Sequence, residues 1–297
     1  MTDSGNVTVA GLATIVSTGQ AVTLGDSTTA NFGSLDFAGA AVTITENSAM
    51  AIAASEATGA LALVANGAIT QSGAIDADGT SSFTAGANAI TLTQGANDFT
   101  GAVSLSNSGT NDVQLRDANA IDLGTVGVGQ NLTVTASGAI TDTGVATVAG
   151  TSTFDNSGGS NAAIDLGSSS TYTGNVTFTT DAGSNVTIND STAFVIQSGL
   201  NVNNLNLTAG GAVTDVGNIN IDGTLTVSAA GQTVTLDGAG NDLTGNVTLT
   251  GAAVTLVDTT ATAVAGITAT GALSVTSGGA ITQSGAIDAD STSSFTA

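Results

Sequence analysis

One phrase recurs along this chain at nearly constant distance, and it constrains the fold more than any other feature. Gly67-Ala68-Ile69-Thr70 returns as Gly138-Ala139-Ile140-Thr141, Gly211-Ala212-Val213-Thr214 and Gly279-Ala280-Ile281-Thr282, in successive steps of 71, 73 and 68 along the numbering. Units of about 70 residues therefore start near positions 1, 67, 138, 211 and 279. A longer period lies above this one. Residues 1–85 align with 213–297 at a constant offset of 212, and over 67–85 against 279–297 only Gly79 and Ser291 differ. Fixed periods of this kind mark solenoids, propellers or arrays.

Each unit divides into three segments that open on a turn residue and continue as an alternating strand. They begin near Gly11, Gly33, Gly59, Gly79, Gly101, Gly129, Gly150, Gly174, Asn203, Gly223, Gly245, Gly271 and Ser291, so successive anchors are separated by steps of 20 to 29. In Thr224-Leu225-Thr226-Val227-Ser228 and Asn246-Val247-Thr248-Leu249-Thr250, apolar residues alternate with Thr, Ser and Asn, which sends one set inward and the other outward. Gly, Asn, Asp and Ser between the strands suit turn conformations. A coil of about 23 residues cannot bury its own apolar face, but stacked coils can. The expected fold is all-β, a parallel β-helix running over residues 1–297 as one continuous domain of about 13 coils. At roughly 4.8 Å per rung this makes a rod of about 60 Å. The absence of Pro agrees, because every strand needs its N–H groups for two ladders. Leu225, Val227, Val247, Leu249, Leu273 and Val275 are predicted to point inward. Tandem β-sandwiches would show a buried aromatic, Pro-bearing turns and linkers, and would leave the shorter period unexplained.

Composition narrows the chemistry. Net charge is −22, with Arg116 the sole basic side chain, so nucleic acid and anionic membrane surfaces are not expected partners. With neither His nor Cys there is no imidazole base, thiolate nucleophile or soft-metal site. No apolar run is long enough for a membrane helix, and 3% aromatic residues cannot build the girdles of a lipid-facing barrel. A hydrophobic content of 41% in alternating order argues against disorder. Met1 is followed at once by repeat sequence, so no secretory signal is expected within the chain.

The phrases Gly138 to Gly144 (GAITDTG), Gly95 to Asn107 (GANDFTGAVSLSN) and Asn131 to Gly138 (NLTVTASG) resemble the repeat region of filamentous-haemagglutinin-like bacterial surface adhesins. The resemblance covers the whole chain and rests on composition and period. It implies a right-handed β-helix and secretion across the outer membrane, often through a partner transporter. It also implies a place outside the cell or on its surface, as one segment of a much longer shaft.

Several groups are candidates for chemistry. Gly238-Ala239-Gly240-Asn241-Asp242-Leu243 resembles one turn of a calcium-binding nonapeptide, but the next Asp-bearing turn is a full coil away, so a turn that caps a strand is expected. Asp76 with Asp78, and Asp288 with Asp290, are the nearest carboxylate pairs, and each should share a face. Thr-x-Thr runs such as Thr43/Thr45 and Thr248/Thr250 suit the outer face of a strand, and uneven coils should spoil a flat ice-binding array. Arg116 beside Asp117 reads as a local surface ion pair, and Tyr172 and the eight Phe as core or turn fillers.

No catalytic, cofactor-binding or metal-ligating residue is assigned, and the chain is not expected to be an enzyme. The expected function is that of a structural shaft holding distal binding regions away from the cell. The alternative is a self-assembling extracellular filament, matrix or surface-layer protein. The expected partners are further copies end to end or a longer parent chain. Divalent cations are expected to bridge the acidic walls laterally.

Overall fold

The computed structural model describes residues 1–26 and 29–297. Two compact units make up the chain, Met1–Asp155 and Asn156–Ala297, and each is a parallel β-solenoid. Strands over the described residues pair in parallel, each with an equivalent strand one turn away, and no helix occurs among them.

Alternation decides what lies inside. In the first unit Ile44, Leu63, Phe83, Leu105 and Val126 stack as one inward column, all essentially inaccessible. In the second unit Leu207, Val227, Leu249 and Ile267 do the same. All six residues predicted for the core are buried, while Thr226 and Thr248 lie on the outer wall. The ladder makes the apolar surface of each coil the floor of the next, which is why a chain with a narrow core needs so few aromatics.

Within each repeat, short straight strands alternate with longer bent segments. From Val42 to Ser106 the order is short (Val42–Glu46), bent (Met50–Ile52 with Ser55–Ala57), short (Leu61–Ala65), bent (Ile69–Gln71 with Ile75–Ala77), short (Ser81–Thr84), bent (Ile90–Leu92 with Asp98–Phe99) and short (Val103–Ser106). That is seven half-turns. Seven is odd, so the next short strand, Val113–Asp117, lands on the other wall. It pairs with Ile90–Leu92 below and Leu132–Ala136 above, while Val103–Ser106 pairs with Ile121–Val128. The second unit repeats the swap. Asn246–Gly251 pairs with Thr262–Ala269, and the following short strand, Val254–Asp258, pairs with Val234–Leu236 and Leu273–Ser277.

A repeat therefore holds three and a half turns where the glycine anchors suggest three coils. The offset between rungs falls to 17 from Val247 to Val264 and is 23 from Val7 to Ala30, and the described residues make about 14 turns instead of 13. These rungs are tighter than the anchor steps imply. The reason is geometric. The steps Gly33 to Gly59, Gly101 to Gly129 and Gly245 to Gly271 each run from a strand on one wall to a strand on the other. Each therefore counts one turn plus part of the next.

Turns stack as closely as strands. Gly59, Gly79 and Gly101 lie one above another, and a Cβ on Gly79 would stand 2.5 Å from the carbonyl carbon of Gly59. Gly101 in turn would press a Cβ to 2.6 Å from the same atom of Gly79. Backbone cannot yield here as a side chain would. The variant Gly79→Ala is expected to lose about 2 kcal/mol, measured as a lower urea midpoint with the far-ultraviolet spectrum unchanged.

Candidate functional site

The residues singled out in the sequence fall into walls and corners. Asn241 is fully buried: its Oδ1 accepts from the Ile219 N–H at 3.2 Å, and its Nδ2 donates to Asp215 Oδ2 at 2.7 Å. Asp215 also accepts from the N–H groups of Asp237 (2.9 Å) and Gly238 (3.1 Å). Asn97 fills the same corner in the first unit, exchanging hydrogen bonds with Gln71 at 2.8 and 2.9 Å and accepting from the Ile75 N–H at 3.0 Å. In the calcium-like turn the amide side chain is thus a backbone cap, as the turn reading has it.

Asp76 and Asp78 do share the exposed side of their segment. Asp76 stands in register between Glu56 on the coil below and Asp98 on the coil above. Partial desolvation, then repulsion from Asp98, Asp78 and Glu56, lifts its carboxyl above the usual range. Asp288 has Thr268 beneath it, so the duplicated pair does not reproduce that environment. Hydroxyl columns are in register after all, Thr214–Thr235–Thr255–Ser274–Ser294 forming one on a wall of the second unit. Along this column the coil lengths vary in the turns and leave the strands aligned, whereas elsewhere bulges do shift the register, as between Val247 and Thr248 and between Val103 and Leu105. Other columns are interrupted, as at Ala62 between Thr43 and Ser82. Phe83 and Phe99 meet edge to face in the core, centroids 5.9 Å apart, and Tyr172 is buried too.

Arg116 and Asp117 do not pair across the surface. Neighbours in a strand face opposite ways, so Arg116 is exposed while Asp117 is fully buried. Asp117 belongs instead to a set that sequence reasoning missed. Glu46, Asp117, Asp190 and Asp258 follow one another in the same steps of 71, 73 and 68, and each is at most 2% exposed. Each ends the first short strand after a wall swap. Such a strand covers only the first half of the bent segment beneath it, so N–H groups in the second half have no strand above them.

The carboxylate supplies the missing acceptor. Glu46 Oε1 accepts from the Phe32 N–H at 2.9 Å, and Asp117 Oδ2 from the Phe99 N–H at 2.8 Å. Asp190 Oδ1 accepts from the Tyr172 N–H at 3.4 Å, and Asp258 Oδ1 from the Leu243 N–H at 3.2 Å. The backbone N–H that follows each acid completes a clamp. Asn47, Ala118, Ser191 and Thr259 donate to the carbonyls of Ala30, Asn97, Ser170 and Asn241 at 2.7 to 2.9 Å. Burial raises the carboxyls of Glu46, Asp117 and Asp190 above the ordinary range, against the opposing pull of these hydrogen bonds. The signal was legible in Val42-Thr-Ile-Thr-Glu46, Val113-Gln-Leu-Arg-Asp117, Val186-Thr-Ile-Asn-Asp190 and Val254-Thr-Leu-Val-Asp258, where an acid takes the third inward position of an alternating strand.

The widest of several open concavities along the described residues, about 680 Å³, lies among Met1, Asp3, Val7, Leu12 and Phe32, with Asp3 its one acidic residue. A cavity of about 40 Å³ between Val176, Phe178, Phe194, Ile196, Leu200 and Leu205 has room for a water or two, and no acidic side chain lines it. No group of three or more Asp or Glu among the described residues is arranged to hold a metal ion.

Fold and site together define a class, a repeat-built parallel β-solenoid whose recurrent polar groups clamp its own seams. The chain belongs to a family described as repeats of unknown function (DUF5649), whose model matches residues 39–106, 110–182, 183–250 and 251–297. Those stretches start in steps of 71, 73 and 68, and each start lies just ahead of Val42, Val113, Val186 or Val254. The family boundary is therefore the structural seam. It precedes each Gly-Ala-Ile-Thr phrase, or its Val213 variant, by the same distance: 39 before Gly67, 110 before Gly138, 183 before Gly211 and 251 before Gly279. No curated protein and no solved structure matches the chain.

Proposed function

We propose that the chain is a structural shaft segment of a very large secreted bacterial surface adhesin, a stiff spacer that presents distal binding regions. The observation that carries this reading is the continuous inward apolar ladder in both units, with the recurrent polar groups spent on internal clamps and none converging on an open pocket. Outer walls of Thr, Ser, Asn and Asp with net charge −22 support it, because like-charged rods stay apart in solution. Repeats joined at regularly recurring seams also suit a spacer, since length is set by repeat number alone.

Antibody raised against residues 1–297 provides the test, applied to whole cells and then to denaturing gels of the native material. Surface labelling, with only very large species on the gel, is the expected result. A band near 28 kDa would favour the filament of short chains, and an antigen confined to the cell interior would sink both readings.

A further inference from the structure

The four seam carboxylates are not equivalent. Asp117 uses both oxygens, Oδ2 for the Phe99 N–H and Oδ1 for the Asn119 N–H. Asp258 also uses both, Oδ1 for the N–H groups of Leu243 and Thr260 and Oδ2 for the Thr262 hydroxyl at 2.9 Å. Glu46 and Asp190 put everything on one oxygen. Glu46 Oε1 accepts from the Phe32 N–H and the Ser48 hydroxyl, and Asp190 Oδ1 accepts from the N–H groups of Tyr172 and Thr192 and from the Thr192 hydroxyl. Glu46 Oε2 and Asp190 Oδ2 are enclosed with no hydrogen-bond partner.

The hydrogen bonds on the partner oxygen are the sole compensation for charge there, and no cation adds to them. The sole basic side chain, Arg116, is exposed elsewhere, and the chain has no Lys or His. Around Glu46, strands Val22–Leu24 and Leu61–Ala65 carry no titratable group, and Asp36 on Ala30–Gly39 faces the outer wall. Around Asp190, Asn204–Ala209 carries none, Asp165 on Ile164–Tyr172 faces outward, and Tyr172 contributes its backbone N–H. A bare buried anion costs far more than a neutral carboxyl in the same place.

We propose that the seams at Glu46 and Asp190 are proton-operated clamps, in which the enclosed oxygen takes up a proton in mildly acid surroundings and the solenoid tightens. Asp117 and Asp258 have both oxygens engaged by donors, so neither leaves an enclosed oxygen for a proton to satisfy. The sign follows from linkage. A carboxyl whose folded value is raised binds its proton more readily folded than unfolded, so stability is highest below the unfolded value near 4. It declines as pH rises through the folded one.

Thermal unfolding of the 297-residue chain between pH 4.5 and 7.5, in about 0.5 M salt to screen the exposed carboxylates, tests this. The native chain should gain at least about 5 °C on acidification. The double variant Glu46→Gln/Asp190→Asn keeps the accepting oxygen and the volume but has no charge to lose, so it should gain much less. Asp117→Asn, which removes a raised carboxyl whose two oxygens are both hydrogen-bonded, should trim the gain by less than either Glu46→Gln or Asp190→Asn. An equal gain in the double variant, or none in the native chain, would overturn the proposal. If the double variant does not fold, each single amide variant must flatten the profile by itself, and unchanged profiles in both would overturn it equally.

Discussion

Deleting residues 39–109 is expected to leave a folded solenoid, whereas deleting the much shorter stretch 59–66 is expected to unfold the first unit. The larger cut removes one whole repeat from seam to seam. Val42 and Glu46 follow Ala38 at fixed places, and in the deletion Val113 and Asp117 take those same places. Asp117 then meets the Phe32 N–H that Glu46 now caps, and every later rung keeps its wall. The smaller cut removes one half-turn, Leu61–Ala65, and sends each later strand to the wrong wall. Bent segment Ile69–Ala77 would then lie over short strand Val42–Glu46, with no acid placed to cap what is left open. Far-ultraviolet spectra and resistance to a broad-specificity protease decide it. The shorter chain should keep a cooperative transition with its full amplitude, and the longer one should lose the part that belongs to the first unit, with protease cuts confined to residues before Asn156.

Asp258→Ala is expected to lose about 3 kcal/mol, the largest effect of any single seam substitution. Its carboxylate accepts from two backbone N–H groups and from the hydroxyls of Thr260 and Thr262, and Thr262 Oγ1 lies 3.0 Å from Ser277 Oγ. Asp258 is 2% exposed, so water cannot replace it at these donors. Asp258→Asn keeps an accepting oxygen toward the backbone and should lose roughly half as much. Urea midpoints at pH 7 give the comparison. Equal losses for Ala and Asn would mean that the charge, not the acceptor, holds the seam.

Much of this was legible along the chain. Val247, Leu249, Leu273 and Val275 announce their inward direction by alternation alone, because a strand has only two faces and the outward set is Thr, Ser and Asn. The Gly-Ala-Ile-Thr steps of 71, 73 and 68 are the true repeat lengths. The class of fold follows from a period too short to close its own core. Those features are local, set by side-chain polarity and by spacing along one strand.

Wall identity is not local. Gly101 and Gly129 look alike in sequence, yet the strands that follow them belong to opposite walls, which is known only when Val103 is seen beneath Leu123 and Val113 beneath Leu132. The half-turn in each repeat, the seam it creates and the role of Glu46, Asp117, Asp190 and Asp258 all follow from that stacking. Asp117 beside Arg116 looked like a surface ion pair because their adjacency is printed in the sequence. Its partner, the Phe99 N–H, is distant along the chain and stands under Asp117 only because the coil closes there. Sequence by itself determined the period, the all-β class and the inward set. The tertiary structure alone decided which backbone groups lie uncovered, because that depends on what each strand meets a full turn away.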